Sequence, residues 1–363
     1  MEFGIIASAA RLAHNGCAAA WIYGAFILEN GSSRRSRLVT ERNERRAGAV
    51  CRKGEGGRSQ VKSKWIGSEE HKRVLCETFV KTHKRFLPEE IEWPELDADS
   101  LNRLKSLPIW NEAVKTESST AVEVQTLGRV EPDPIMADAI ALQGYEEGRH
   151  AAILGLLTRR YGIAVEPFEE PAPPEDPVRT FLATGYGECL DSFFAFGLFA
   201  IGKRSQLFPA ALIDIFDPIM QEEARHILFV VNWSAYLRAR TPALRRPAYD
   251  LRKAWIVADQ IVTHARNATR VGGNGSQEGF TMSGHNAFGE LSARSFLELC
   301  LAENDRRLAP YDPRLLRPAL VPSAVRFALR LIPPNRGRAS GEPAECPLGG
   351  ARRAEVSREV FRP

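Results

Sequence analysis

The sequence predicts an all-α protein, a four-helix bundle with one long crossover and further helices before and after it. Three observations lead there. Glu146-Glu147-Gly148-Arg149-His150 and Glu222-Glu223-Ala224-Arg225-His226 repeat one another, each inside an apolar stretch with helical spacing. Residues 162–177, between them, are dense in Pro and Glu and cannot be helical. No run of alternating apolar and polar residues marks a strand in the core region.

The elements follow in chain order. Residues 30–64 are rich in Arg, Gly and Ser with few large apolar side chains, a composition that predicts disorder, so residues 1–67 are expected to be an extension that the fold does not need. The helical domain spans 68–332, and the tail 333–363 again has a disordered composition. A first helix is expected over 72–86, an extended stretch over 87–94, and a short helix from Asp99. The first bundle helix is expected over 108–127, with a proline in its first turn. Its inward stripe is Trp110, Ala113, Val114, Glu117, Ala121 and Val124. The second, over 134–161, is capped by Asp133 and stopped by Gly162. It turns Met136, Ala139, Gln143, Glu147, His150, Leu154 and Leu157 inward. Each stripe carries a carboxylate where a leucine belongs.

The linker's length sets the topology. A helix of about 25 residues is roughly 37 Å long, and an extended chain of about 15 residues spans that distance. Two antiparallel hairpins joined by one crossover result. The third bundle helix, over 178–203, places Phe181, Gly185, Glu188, Ser192, Ala195 and Phe199 on one face, and the fourth, over 210–240, is expected to break at Asp217-Pro218. Helices over 246–269 and 287–308 flank a Gly-rich loop at 272–284. The amphipathic segment 323–332 is expected to dock on the bundle.

Bulk properties narrow the function. With 363 residues, 44% of them hydrophobic, the chain can bury a substantial core. The net charge of +4 is small and the basic residues gather at the two ends, leaving no basic stripe for nucleic acid. Cys17, Cys51, Cys76, Cys189, Cys300 and Cys346 lie far apart without a C-x-x-C pair, which excludes a zinc ribbon and points to a reducing, cytoplasmic setting. The apolar run 17–28 is too short for a membrane span.

The two motifs carry the chemistry. Glu and His three positions apart on a helix project to one side. In an antiparallel hairpin, residues at one height lie equally far from the turn. Reflecting Glu147 through a turn near Glu131 lands close to Glu117, and reflecting Glu223 through Ser205 and Gln206 lands on Glu188. The rival Glu112 shares a face with Thr116, Ser119 and Glu123 that reads as solvated. Asp191 replaces Glu188 if Pro218 shifts the turn midpoint. Four carboxylates neutralise two divalent cations, and imidazole favours iron, manganese, cobalt or zinc over calcium. Glu146 and Glu222 are expected to hold the second nitrogen of the histidine in the opposite hairpin, with Arg149 and Arg225 neutralising them. Phe193 to Phe199 read as core or as the lining of an apolar pocket. His264 and His285 read as structural.

This pattern resembles the ferritin-like diiron-carboxylate superfamily, most closely the D-E-x-R-H pairs of bacterial multicomponent monooxygenase hydroxylases, with Glu146 and Glu222 in place of Asp. It also resembles arylamine oxygenases, although Ile219 stands where those have a third histidine. Leu154 stands where radical-generating reductase subunits have a tyrosine, and the four-cysteine module of rubrerythrins is missing. Unlike bacterioferritins, the chain continues through more helices.

The resemblance implies Glu117, Glu147 and His150 on one metal and Glu188, Glu223 and His226 on the other, with Glu147 and Glu223 bridging. It implies two iron ions, or a manganese/iron pair, activating dioxygen to oxidise an apolar small molecule. Electrons would come from an external donor, since no flavin, nicotinamide or iron-sulfur motif is present. A homodimer is the expected assembly. The alternative is a metal-binding or iron-handling protein without an organic substrate.

Overall fold

The computed structural model describes residues 65–107, 109–169, 171–204, 209–270 and 292–332. Among these the chain forms nine α-helices, two short 3-10 turns and no strand. The segment 30–64, the loop 272–284 with its neighbour His285, and the tail 333–363 lie outside the described residues.

Helix α1 (Glu69–Lys81) begins and ends earlier than the 72–86 expected. The Ser68 side chain accepts from His71 N, Glu69 and Glu70 favour the first turn, and the Thr82 hydroxyl closes the last turn on Thr78 O. Helix α2 (Ala98–Ser106) is capped by Asp97. Helix α3 (Trp110–Val130) runs one turn further than the apolar stripe required. Helix α4 (Pro134–Tyr161) starts on the Asp133 cap and stops at Gly162, whose φ of 59° is the left-handed conformation that glycine adopts without strain. Residues 162–169 and 171–176 are non-helical and lead to α5 (Pro177–Arg204).

The break expected at Pro218 is absent. Helix α6 (Ala210–Arg240) runs straight through it. The reason is tertiary support at that turn: Arg307 donates to Asp217 Oδ1 at 2.8 Å, Gln221 Nε2 donates to Arg307 O at 2.8 Å, and Tyr311 Oη donates to Gln221 O at 3.1 Å. These contacts hold the helix across a missing hydrogen bond.

Helices α7 (Arg246–Arg270), α8 (Ala293–Leu308) and α9 (Leu320–Leu331) complete the chain. The bundle is a ring in which α3 touches α4 and α5, and α6 touches α5 and α4. The hairpin partners approach closely at two glycines: Gly144 sits against Gln125, and a Cβ on Gly185 would lie 2.5 Å from Val230 Cγ2. Helix α1 covers the α4/α6 seam, where Phe79 meets Phe229 at 5.1 Å between ring centroids. Helices α7 and α8 cover α5, and α9 packs Val321 and Val325 against Phe193, Leu198, Ile201 and Phe296. No helix of the described residues is long and apolar enough to cross a membrane.

Candidate metal centre

The bundle helices deliver a carboxylate and imidazole cluster to mid-height. The i, i+3 spacing aims Glu147 and His150 inward from α4, and Glu223 and His226 inward from α6. Helix α3 contributes Glu117, whereas Glu188 on α5 lies near enough for the charges of Glu147, Glu223 and His226 to act on it but outside the group of mutually close ligand atoms. Ligand atoms of Glu117, Glu147, His150 and Glu223 all lie within 4.8 Å of one another. His150 Nδ1 is 3.1 Å from Glu223 Oε1, 3.5 Å from Glu117 Oε2 and 3.9 Å from Glu147 Oε2. His226 Nδ1 is 2.8 Å from Glu147 Oε1 and 3.9 Å from Glu223 Oε2. The two imidazoles face each other with centroids 5.8 Å apart.

Five inward-facing atoms are sealed from solvent without a well-formed hydrogen bond. Glu188 Oε2 has no partner, while Glu147 Oε1, His150 Nδ1, Glu223 Oε1 and His226 Nδ1 meet only one another, as the close contacts of His226 with Glu147 and of His150 with Glu223. An unsatisfied buried polar atom costs about 1–3 kcal/mol. A buried carboxylate and imidazole set of this kind fits divalent transition metals.

A second layer orients the histidines across the bundle, as the sequence suggested. His150 Nε2 donates to Glu222 Oε2 at 2.8 Å, and Arg149 donates to Glu222 Oε1 at 2.5 Å. Symmetrically, His226 Nε2 donates to Glu146 Oε2 at 2.9 Å, and Arg225 donates to Glu146 Oε1. Because each Nε2–H is committed outward, Nδ1 of each ring points into the cluster and offers its lone pair to a metal once the proton held there by the neighbouring carboxylates has left. The arginines are themselves fixed, Arg149 over the Phe86 ring at 3.9 Å and Arg225 over the Phe79 ring at 4.7 Å.

His83 was not legible in the sequence. Its Nδ1 donates to Glu146 Oε1, so Glu146 accepts from His83, Arg225 and His226 together. It lies in the non-helical stretch after α1, where no periodicity ties it to a residue 63 positions away. His83, Glu146 and Glu222 also form a close group, but the Arg149 and Arg225 guanidiniums already supply its positive charge.

Other expectations resolve by packing. Asp191 is away from the cluster, accepting from His264 Nε2 on α7 at 2.9 Å. Glu112 stays on an exposed face beside Thr116. Glu123, expected to be solvated beside it, instead accepts from the Thr184 hydroxyl on α5, and burial pushes its carboxyl up. Phe193 and Phe196 are core, Phe193 packed with residues of α8 and α9 and Phe196 in the main bundle core, and Phe196 with Phe199 flanks the Arg307 guanidinium.

Electrostatics divide the acids. Burial raises Glu188 well above its ordinary range, reinforced by the charges of Glu147 and Glu223. Burial also raises Glu117, to about 8, against the opposing hydrogen bond of His150. For Glu147, burial is outweighed by the charge of His226, and the carboxyl is lowered. For Glu146 and Glu222, burial is outweighed by bonds to His226 and His150 respectively, and both are lowered. Burial disfavours the charged imidazoles, but the surrounding carboxylates win and raise both histidines well above 6.5.

A pH prediction follows from these signs. Glu117, Glu188, His150 and His226 all hold protons more tightly in the folded metal-free protein than in the unfolded chain. Folding stability therefore falls as pH rises, from about 4.5 for the two carboxyls and from about 6.5 for the two imidazoles, through the folded-state values. Glu146, Glu147 and Glu222 act oppositely, losing their contribution as pH falls below about 4.5. A divalent ion displaces the protons, so metal uptake at neutral pH is expected to release protons and to tighten as pH rises. A pH-indicator dye in weak buffer measures the release, and uptake without it would contradict the assignment.

Comparison of the chain with protein-family models, with curated proteins and with solved structures gives no match.

Proposed function

We propose that the chain is a ferritin-like, non-haem dinuclear metalloenzyme in which a pair of iron ions, or a manganese and an iron ion, serves an oxidase or oxygenase reaction on an apolar small molecule. The observation that supports this reading is the buried cluster of Glu117, Glu147, His150 and Glu223 ligand atoms within 4.8 Å of one another, with His226 in contact with Glu147 and the sealed Glu188 carboxyl beside them. Glu117, Glu147 and His150 would hold one ion and Glu188, Glu223 and His226 the other. Glu147 and Glu223 suit a shared role because each lies between the two imidazoles. When bound, the metal pair supplies the site and the electrons for dioxygen activation.

The chain's own residues do the rest. Glu146 and Glu222 fix the two rings, and Arg149 and Arg225 hold those carboxylates ionised. The four ligand carboxylates balance two divalent ions, which leaves the interior near neutrality. Glu117 is more exposed than Glu147, His150, Glu223 and His226, with 24% of its side chain accessible, and so marks a side from which small molecules reach the centre. Electrons come from an external donor. The free buried thiols Cys76, Cys189 and Cys300 suit a reducing, cytoplasmic setting.

The test is anaerobic loading of purified protein with ferrous iron, metal analysis, and addition of dioxygen. Two ions per chain with rapid dioxygen uptake, coupled to oxidation of an added apolar substrate, is the expected result. Uptake of many iron atoms per chain would point to iron handling instead, and bound metal inert to dioxygen would overturn the enzyme reading.

A further inference from the structure

Helix α7 has two apolar faces, and the bundle uses one. Ile256 and Val257 are buried at 3% and 5% exposure. On the opposite side Leu251, Trp255 and Val262 are exposed at 62%, 71% and 39%, with Ala258 exposed between them. Leu251, Trp255, Ala258 and Val262 recur at alternating intervals of four and three, the seam of a helix that packs on another helix. Ala248 and Leu244, both exposed, continue the same rhythm backwards into the preceding 3-10 turn. An exposed tryptophan at the centre of such a seam is an unusual place for so much apolar area.

We propose that this seam pairs with the same seam of a second copy, antiparallel, to form a symmetric dimer. Self-complementarity is the argument. A two-fold axis between Trp255 and Ala258 sets Trp255 against the small Ala258 of the other copy and Leu251 against its Val262, so large meets small at the centre and two medium residues meet on either side. The flanking charges agree. Arg252 and Asp259 each follow a seam residue, Leu251 and Ala258, on the same edge of the helix. In this register Arg252 of one copy faces Asp259 of the other, and the axis repeats the pair. The neighbouring register, with Leu251 against Trp255, would place Arg252 against its own symmetry mate and is disfavoured by like charge. Arg252 also donates to Asp176 of its own chain at 2.5 Å, and a guanidinium with five N–H donors serves both carboxylates.

Sedimentation equilibrium of the full chain over a wide concentration range tests this. The wild type is expected to dimerise, and Trp255→Glu to be monomeric with an unchanged helical circular-dichroism spectrum, since residue 255 touches little of its own bundle. Asp259→Arg is expected to weaken association at least tenfold. Adding Arg252→Glu to Asp259→Arg restores both charge pairs with signs reversed and should recover the dimer. A wild type that stays monomeric at every concentration, a dimer indifferent to Trp255→Glu, or a charge swap that fails to rescue would each overturn the proposal.

Discussion

Glu188→Gln is expected to give a metal-free protein more stable than the wild type and a metal-treated protein that retains one ion per chain instead of two. The two effects have one cause. The Glu188 carboxyl is raised by burial and by the charges of Glu147 and Glu223, and its Oε2 makes no hydrogen bond. Without metal it is a group the fold tolerates rather than one that supports it. Glutamine keeps the shape, removes the charge and offers an amide donor toward the neighbouring carboxylates. A group whose carboxyl is raised on folding loses stability for the protein as pH rises above its unfolded value, and glutamine does not titrate, so the gain is expected to be larger at pH 8 than at pH 5. Denaturant midpoints with and without metal measure the first effect, and metal analysis after dialysis measures the second. A variant less stable than the wild type, with metal content intact, would place Glu188 in the structural core instead of the cluster.

Glu146→Ala acts in the opposite direction and on both quantities at once. Glu146 accepts from His83, Arg225 and His226 in the interior, and removing it leaves a buried guanidinium and the outer nitrogen of His226 without their partner. Breaking one side of a buried ion pair costs about 3–5 kcal/mol. Loss of the group that orients a ligating histidine costs about 10–100-fold in metal affinity. Both losses are expected, read from an unfolding curve of the metal-free protein and a competitive metal titration. Glu146→Gln should recover most of the metal affinity, because an amide oxygen still accepts from His226 Nε2, while recovering less stability, because Arg225 keeps only the more distant Glu222 carboxylate, at 3.9 Å, as its counter-charge. Equal recovery of the two would show that the carboxylate acts through shape alone.

The repeated Glu-Glu-x-Arg-His segments determined by themselves that four side chains would share the interior, because a 3.6-residue period leaves no other place for residues three apart in an apolar stripe. The Pro-rich linker, the Asp133 cap and the Gly162 stop were equally local and equally readable. Reflection through the turns led to Glu117 and Glu188 because antiparallel hairpins conserve height; the fold brings Glu117 into the group of close ligand atoms and leaves Glu188 beside it, and Arg307 and Tyr311, about 90 positions away in the chain, brace the turn at Pro218. The tertiary structure alone decided what depends on packing between distant segments: that His83 joins Glu146, that Asp191 goes to His264 and leaves Glu188 beside the cluster, and that Glu123 turns in toward Thr184. Hydrogen-bond partners of that kind are chosen by which surfaces the helices bring together, and nothing in the spacing of residues along one helix encodes where its neighbour will lie.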